Sequence, residues 1–260
     1  MEADPRFPPD ATETERTGWA NTLANLRVFA TASAKTTQQL IGAARFSRHA
    51  PGALLVRGTD PASQAYFLLT GIARVFQARA DLQYTAKILT APTHFGELAA
   101  LGGLPHHQSS IEALTPGVTA AVPIALLEAL LREDPELCRA WLYSVARQFS
   151  VTIDFLKQCI FGGVTARLAN VLLSYADAFG CEQADGWWDV GYELSYAALA
   201  EQAACTRRAV IKCMKALTAE GVVRSEQGRW RLRRAALLDE LLPARLSLTY
   251  SLDDNREPNE

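Results

Sequence analysis

The stretch from Leu194 to Leu217, LSYAALAEQAACTRRAVIKCMKAL, constrains the chain more than any other. Its apolar residues Leu199, Ala203, Val210, Met214 and Leu217 fall at helical spacings, yet the interval across Ala204, Cys205 and Thr206 is too tight for one straight helix. Two helices joined by a sharp turn satisfy both facts. Ser195 is placed to cap the first helix and Thr206 the second, because a hydroxyl there accepts one of the free amide hydrogens of the first turn. Ala200 keeps the side chain short where the two helices must cross. Directly after the turn, Arg207, Arg208 and Lys212 project from the second helix, while Val210, Met214 and Leu217 face inward.

An exposed basic N-terminal end of this kind is what a recognition helix brings to the major groove. Arg207 is the residue expected on a guanine edge, and Arg208 and Lys212 read a base or hold a phosphate. Beyond Gly221, VVRSEQGRWRLRR alternates apolar and polar around Gly228, which predicts a two-stranded wing with Arg229 and Arg231 against phosphate. From Cys205 to Arg234 nine Lys or Arg stand against two Asp or Glu, a local charge of +7 in a chain whose formal charge is −2. Local charge of that size points to a nucleic-acid face. The alternative is an ordinary helical hairpin with a solvated basic side.

With 260 residues, 49% hydrophobic and 21% charged, the chain has room for two modest domains and is neither fibrous nor wholly disordered. Its longest apolar stretch, Ala120 to Leu131, is broken by Pro123 and Glu128 and is too short to span a bilayer. The opening MEADPRFPPD is acidic and Pro-rich, the opposite of a signal peptide, so a cytoplasmic location without membrane partners is expected. The five cysteines, Cys138, Cys159, Cys181, Cys205 and Cys213, show no CxxC spacing and read as free thiols rather than as a zinc or iron-sulfur site.

Residues 1 to about 18 read as a loose polar arm. Short helical patterns follow through Leu23, Leu26 and Phe29 and around Leu40 and Ile41. From Arg45 the chain changes to short apolar runs separated by Gly, Pro and Asp: ALLVRG, AYFLLTGIARVFQ, YTAKILT and SSIEALTPGVTAAVP. Such runs predict an antiparallel sandwich or roll. At Ile124 the pattern becomes helical again, with Pro135 in the first turn of a long helix, where its missing amide hydrogen is harmless.

Along that helix Cys138, Leu142, Val145, Phe149, Thr152, Leu156 and Cys159 are spaced alternately by four and three, an a/d seam of about three heptads. The seam predicts a parallel homodimer through Leu142, Val145, Phe149, Thr152 and Leu156; the alternative is a stripe packed only on the roll of its own chain. Thr152, the one hydroxyl on the seam, sets register or meets a ligand. Phe161, Gly162 and Gly163 interrupt the helix as a hinge, and an amphipathic helix follows from Val164 to Ala178. A Gly- and Trp-bearing loop or hairpin leads to Gly191.

The order of these parts resembles the superfamily of the cyclic-AMP receptor protein and the fumarate-nitrate regulator (CRP/FNR), over roughly Arg45 to Arg234. Phe95-Gly96-Glu97-Leu98 resembles the start of that family's phosphate-binding cassette. Val151-Thr152 followed by Val164-Thr165-Ala166-Arg167-Leu168-Ala169 resembles the end of its dimer helix and the start of its DNA-binding domain, and Cys205-Thr206-Arg207 with Val210 resembles the head of its recognition helix. The resemblance implies an α+β fold: an N-terminal β-roll of the cyclic-nucleotide-binding jelly-roll type, a long dimerisation helix and a C-terminal winged helix-turn-helix. The expected boundaries are an N-terminal arm over 1–25, the roll over 26–135, the dimer helix and hinge over 136–163, the winged helix over 164–242 and an acidic tail over 243–260.

Effector-binding residues implied by the cassette are Gly96, Glu97 and Leu98, with Gln108 and Ser109 at the positions of the family's Arg-Ser pair if one inserted residue is allowed, and Thr152 from the long helix. Without the arginine, a phosphate buried against Gln108 would lack its counter-charge, at a cost of about several kcal/mol, which argues against cyclic AMP in the usual mode. His94, His106 and His107 raise haem or metal ligation, but adjacent loop histidines diverge and no ligand spacing accompanies them. The family's frequent Arg-Glu-x-x-x-Arg is Arg207-Arg208-x-x-x-Lys212 here, so a different operator is expected. Ala204 stands at a turn position often held by glycine; a positive φ there would cost about 1 kcal/mol.

These readings describe a dimeric, sequence-specific transcriptional regulator that binds inverted-repeat double-stranded DNA, responds to an effector of unknown identity in its roll, and meets RNA polymerase as a further partner. A second reading treats the roll as an effector-independent protein-interaction scaffold. The sequence carries no Ser/His/Asp arrangement, P-loop, paired carboxylates or metal spacing that would mark an enzyme.

Overall fold

The computed structural model describes residues 4–79, 82–161, 163–226 and 228–239, so Gly162 of the expected hinge and the acidic tail over 243–260 lie outside the described residues. The chain divides into two compact units, 1–149 and 150–260.

The first unit opens with α1 (Glu13–Ala24) and α2 (Ala34–Ala43). Eight strands follow: β1 (Arg45–His49), β2 (Leu54–Val56), β3 (Gln64–Thr70), β4 (Ile72–Arg79), β5 (Leu82–Thr90), β6 (Thr93–Phe95), β7 (Ser110–Ala113) and β8 (Gly117–Pro123), with the short α3 (Glu97–Leu101) between β6 and β7. They form two antiparallel four-stranded sheets, in the orders β1-β8-β3-β6 and β2-β7-β4-β5. Strand β3 shows why the run AYFLL is apolar throughout. Ala65, Phe67 and Leu69 point to one side of the sheet, into a core shared with the helices, while Leu68 points to the other, into a core with Val56, Ala73, Leu89, Phe95 and Ile111. A strand covered on both faces loses the apolar/polar alternation of a half-exposed one.

From residue 4 onward the N-terminal segment is packed rather than a loose arm. Phe7 stacks on Phe46 of β1 with ring centroids 4.6 Å apart, Trp19 packs beside them, and Ala11, Trp19 and Leu23 are buried in the helix-facing core. Thr12 and Glu15 close a capping box that starts α1. A few large apolar side chains in a polar sequence suffice to anchor the segment, since burying each contributes about 1.5–3 kcal/mol.

Next come α4 (Ile124–Glu133) and the long α5 (Pro135–Phe161). Asp134 lies between them and fixes where α5 begins. Its carboxylate accepts from the backbone N of Leu137 at 3.1 Å, from the backbone N of Ser33 at 2.9 Å and from the Thr36 hydroxyl at 2.8 Å, so one side chain caps α5 and ties it to the start of α2. Leu137 and Trp141 then face the core, whereas Leu142, Phe149 and Leu156 of the expected seam are 66%, 66% and 48% exposed. Val145 is half-buried and Thr152 exposed. Along its first half, α5 therefore turns a different face to the roll from the one that carries the seam.

In the second unit α6 (Gly163–Phe179) begins at a glycine with φ +60°. After it come β9 (Cys181–Glu182), β10 (Trp188–Asp189), α7 (Tyr196–Gln202), α8 (Arg207–Ala219), β11 (Val223–Glu226), β12 (Arg229–Leu232) and the short α9 (Arg234–Asp239). Leu168, Leu172 and Tyr175 of α6 are buried, as are Leu199 of α7 and Val210, Met214 and Leu217 of α8. The expected two-stranded wing is part of a larger sheet in the order β11-β12-β10-β9, in which Trp188 and Asp189 pair with Leu232 and Arg231. Among the described residues no helix is long and apolar enough to cross a membrane.

Asp134→Ala should lower stability by about 1–2 kcal/mol at neutral pH. The bonds from Ser33, Leu137 and Thr36 hold the Asp134 carboxyl at about 2, below its unfolded value near 3.8. Its contribution is thus complete above that unfolded value and lost as pH falls toward 2. Thermal denaturation at pH 7 and near pH 2.5 should show the gap between wild type and variant shrinking in acid; an equal gap at both would remove Asp134 from this role.

Candidate functional site

Helices α7 and α8 form the expected pair, each capped as the sequence indicates: the Ser195 hydroxyl accepts from Ala198 N at 3.1 Å and the Thr206 hydroxyl from Ala209 N at 3.2 Å. Between them Ala204 has φ +47°, with Cys205 N donating to Ala200 O at 3.0 Å and Ala204 N to Glu201 O at 3.2 Å. This is a Schellman turn with alanine where glycine is usual, and the left-handed backbone costs about 1 kcal/mol. Arg167 on α6 braces the turn, its Nε donating to Ala203 O at 2.8 Å.

The turn delivers the N-terminal end of α8 to the surface. Arg207, Arg208 and Lys212 are exposed, and among the described residues none of them has an acidic partner. On the β11–β12 hairpin, which turns through Gly228 at φ +80°, Arg229 is also exposed and without an acidic partner among the described residues. Arg231 differs, since its Nη1 lies 2.8 Å from Glu226. Thr206, Arg207, Arg208, Lys212 and Arg229 are thus available to a ligand on the outside of this unit, while Ser195 caps α7.

The cassette residues of the first unit do not share partners. Gly96 adopts φ +81°, and a Cβ there would lie 2.9 Å from Cδ2 of Tyr66 and 3.2 Å from Cε1 of His107, so glycine is required twice over. Glu97, 1% exposed, is turned inward: Gln148 Nε2 of α5 donates to its Oε1 at 3.1 Å, and Nδ1 of His94 lies 3.1 Å from the same oxygen, an ion-pair distance out of line for a good hydrogen bond. Burial pushes the Glu97 carboxyl up, but His94 and Gln148 outweigh it and hold the group below the usual carboxylate range. Nε2 of His94 makes a 2.9 Å hydrogen bond with the Ser144 hydroxyl, so Ser144, His94, Glu97 and Gln148 form one chain of contacts between α5 and the β6–α3 corner.

Leu98 is 49% exposed beside this corner. Gln108 is exposed and folds back on its own loop, donating to His106 O at 3.3 Å, while Ser109 accepts from Gln77 at 3.4 Å. The structure therefore does not gather Glu97, Gln108 and Ser109 around a shared point; Thr152 belongs to the second unit. His106 is exposed and bridges to Pro61, and His107 is buried against Tyr66, so the three histidines have three separate environments. Among the described residues no three His, Cys, Asp or Glu side chains are grouped as metal ligands. Ser144, Gln148, Arg167 and Glu226 were not singled out as site residues from sequence, and His94 was weighed there only as a haem or metal ligand. Ser144 and Gln148 had a readable signal, a polar pair four residues apart off the seam face.

A two-sheet antiparallel roll followed by a long helix and a winged helix-turn-helix defines a DNA-binding transcriptional regulator. Residues 47–134 match the family model for the cyclic nucleotide-binding domain, and 166–241 match that for the Crp-like helix-turn-helix domain. The global nitrogen regulator of Nostoc sp. is 30% identical over 159 residues, covering 60% of this chain and 70% of that protein. A CRP-like cAMP-activated global transcriptional regulator of Mycobacterium tuberculosis is 24% identical over 168 residues, covering 64% and 74%. Among solved structures, the c-di-GMP responsive global regulator CLP of Xanthomonas campestris superposes with a TM-score of 0.66 at 16% identity, covering 77% of this chain and 99% of that one. The chain belongs to the CRP/FNR superfamily of transcriptional regulators.

Proposed function

We propose that the chain acts as a homodimer on inverted-repeat DNA, with the roll responding to a small molecule other than cyclic AMP in the usual mode. The observation that carries the DNA half is the exposed N-terminal end of α8, where Arg207, Arg208 and Lys212 lack acidic partners among the described residues. Arg207 is the base-reading residue, forked onto a guanine edge, and Arg229 on the wing holds phosphate. The exposed Leu142, Phe149 and Leu156 support pairing of α5 with its own copy, because apolar side chains at this spacing along a helix otherwise stand in water. RNA polymerase is the partner that family membership adds.

For the effector, Gln108 leaves an anion without a guanidinium, and Glu97 is engaged by His94 and Gln148. The names of the similar proteins attach one fold to different signals, nitrogen regulation, cAMP and c-di-GMP, so no ligand transfers by likeness. The inward Glu97 also favours the second reading, a roll that serves as an effector-independent scaffold.

Three measurements check this reading. Arg207→Ala should cost about 1–3 kcal/mol on an operator selected from random DNA and relax preference at one base pair, while Arg229→Ala should weaken all sequences alike; the reverse pattern would refute the recognition-helix assignment. The double variant V145E/L156E should lose the dimer mass in light scattering at micromolar concentration, and an unchanged mass would end the seam model. Calorimetry should show no micromolar binding of cyclic AMP to the wild type; such binding would overturn the argument from Gln108.

A further inference from the structure

The outward face of the wing carries three arginines and one glutamate. In the β11–β12 register Arg224 stands directly opposite Arg231, and Glu226 opposite Arg229, while Val223, Trp230 and Leu232 are buried. Like charges directly opposed destabilise a hairpin. Glu226 lies between the opposed pair, with Oε1 2.7 Å from Nε of Arg224 and Oε2 2.8 Å from Nη1 of Arg231. Arg224 is further held by Asp185 at 2.7 Å and lies over the Trp187 ring, 4.2 Å from its centroid. Among the described residues, Glu226 is the one acidic partner of Arg231, and Arg229 has none.

We infer that Glu226 sets how much of the wing's positive charge reaches DNA: it keeps Arg231 neutralised and leaves Arg229 as the wing's phosphate contact. The argument is one of net charge rather than pair strength, since exposed ion pairs contribute little to stability. Affinity for duplex DNA rises with the counterions a protein displaces, about 0.9 in salt slope per phosphate neutralised. A guanidinium with a carboxylate 2.8 Å away is, at the scale of a Debye length of about 8–10 Å, a neutral pair and displaces none. The inference rests on the wing meeting phosphate.

The test measures binding of the full chain to random-sequence duplex DNA between 50 and 200 mM salt. Glu226→Gln keeps the shape and removes the charge. It should steepen the salt slope by about 0.9 per wing on the duplex, an additional loss of about 3.5-fold over that salt range. The double variant E226Q/R231M, which removes both members of the pair and leaves the net charge unchanged, should keep the wild-type slope. An unchanged slope in E226Q, or an equal gain without Arg231, would overturn the inference. Should E226Q alone fail to fold, the double variant E226Q/R231M decides: it should keep the wild-type slope while R229A flattens it, and flattening by both would refute the assignment. If R229A leaves the slope unchanged, the wing does not meet phosphate, and that premise falls separately from the role of Glu226.

Discussion

The carboxylate of Asp134 fixes the phase of the long helix, and much else follows from that phase. A helix anchored at its first turn presents a fixed set of side chains to each side for as long as it stays straight, at 100° per residue. With Leu137 bound to Asp134 and Leu137 and Trp141 buried, the next inward turns fall on Ser144 and Gln148, which meet His94 and Glu97. Cys138, Leu142 and Phe149 are left on another face. The polar contacts with the roll and the apolar seam are thus two faces of one choice, made where Ser33, Thr36 and Leu137 converge on a single side chain.

How much of this was legible in the sequence depended on the range of the interactions. The caps at Ser195 and Thr206, the break across Ala204 and the basic end of α8 are decided within a few residues of one another, and local pattern is sufficient to find them. The strands of the roll were readable as apolar runs, but the joining of β9 and β10 to the wing was not, because two-residue strands carry no period. The N-terminal segment misled for a related reason. Phe7 and Trp19 are sparse in a polar stretch, and their value lies in Phe46, a partner far along the chain. The inward turn of Glu97 lay furthest out of reach, since it depends on Gln148, 51 residues away.

That inward turn bears on regulation. A buried carboxylate must be paired, and here Gln148 donates to Oε1 while His94 lies at ion-pair distance from that same oxygen, with no hydrogen bond to Oε2 among the described residues. Any ligand that sought Glu97 would have to replace the Gln148 hydrogen bond, and so would compete with a contact that holds α5 to the β6–α3 corner. Ligand affinity and the hold on α5 would then be linked, because a ligand shifts an equilibrium only by its differential affinity for the two arrangements.

The charge of the DNA-facing unit shows the same gap between a count and a structure. Nine basic residues between Cys205 and Arg234 suggest a uniformly positive face. Arg224, Arg231 and Arg234 are in fact each set against a carboxylate, of Asp185 and Glu226, of Glu226, and of Asp177. Arg224 and Arg233 also lie over the Trp187 ring, and Arg234 over Trp188, so part of this basic set packs the sheet. Among the described residues six of the nine have no acidic partner: Arg207, Arg208 and Lys212 at the head of α8, Lys215 further along it, Arg229 at the wing and Arg233, which lies over Trp187. Gathering three of the six at the head of α8 favours reading over simple adhesion: a field spread across the whole unit would hold any duplex at any angle, whereas charge at the head of α8 is strongest when that helix is seated in a groove.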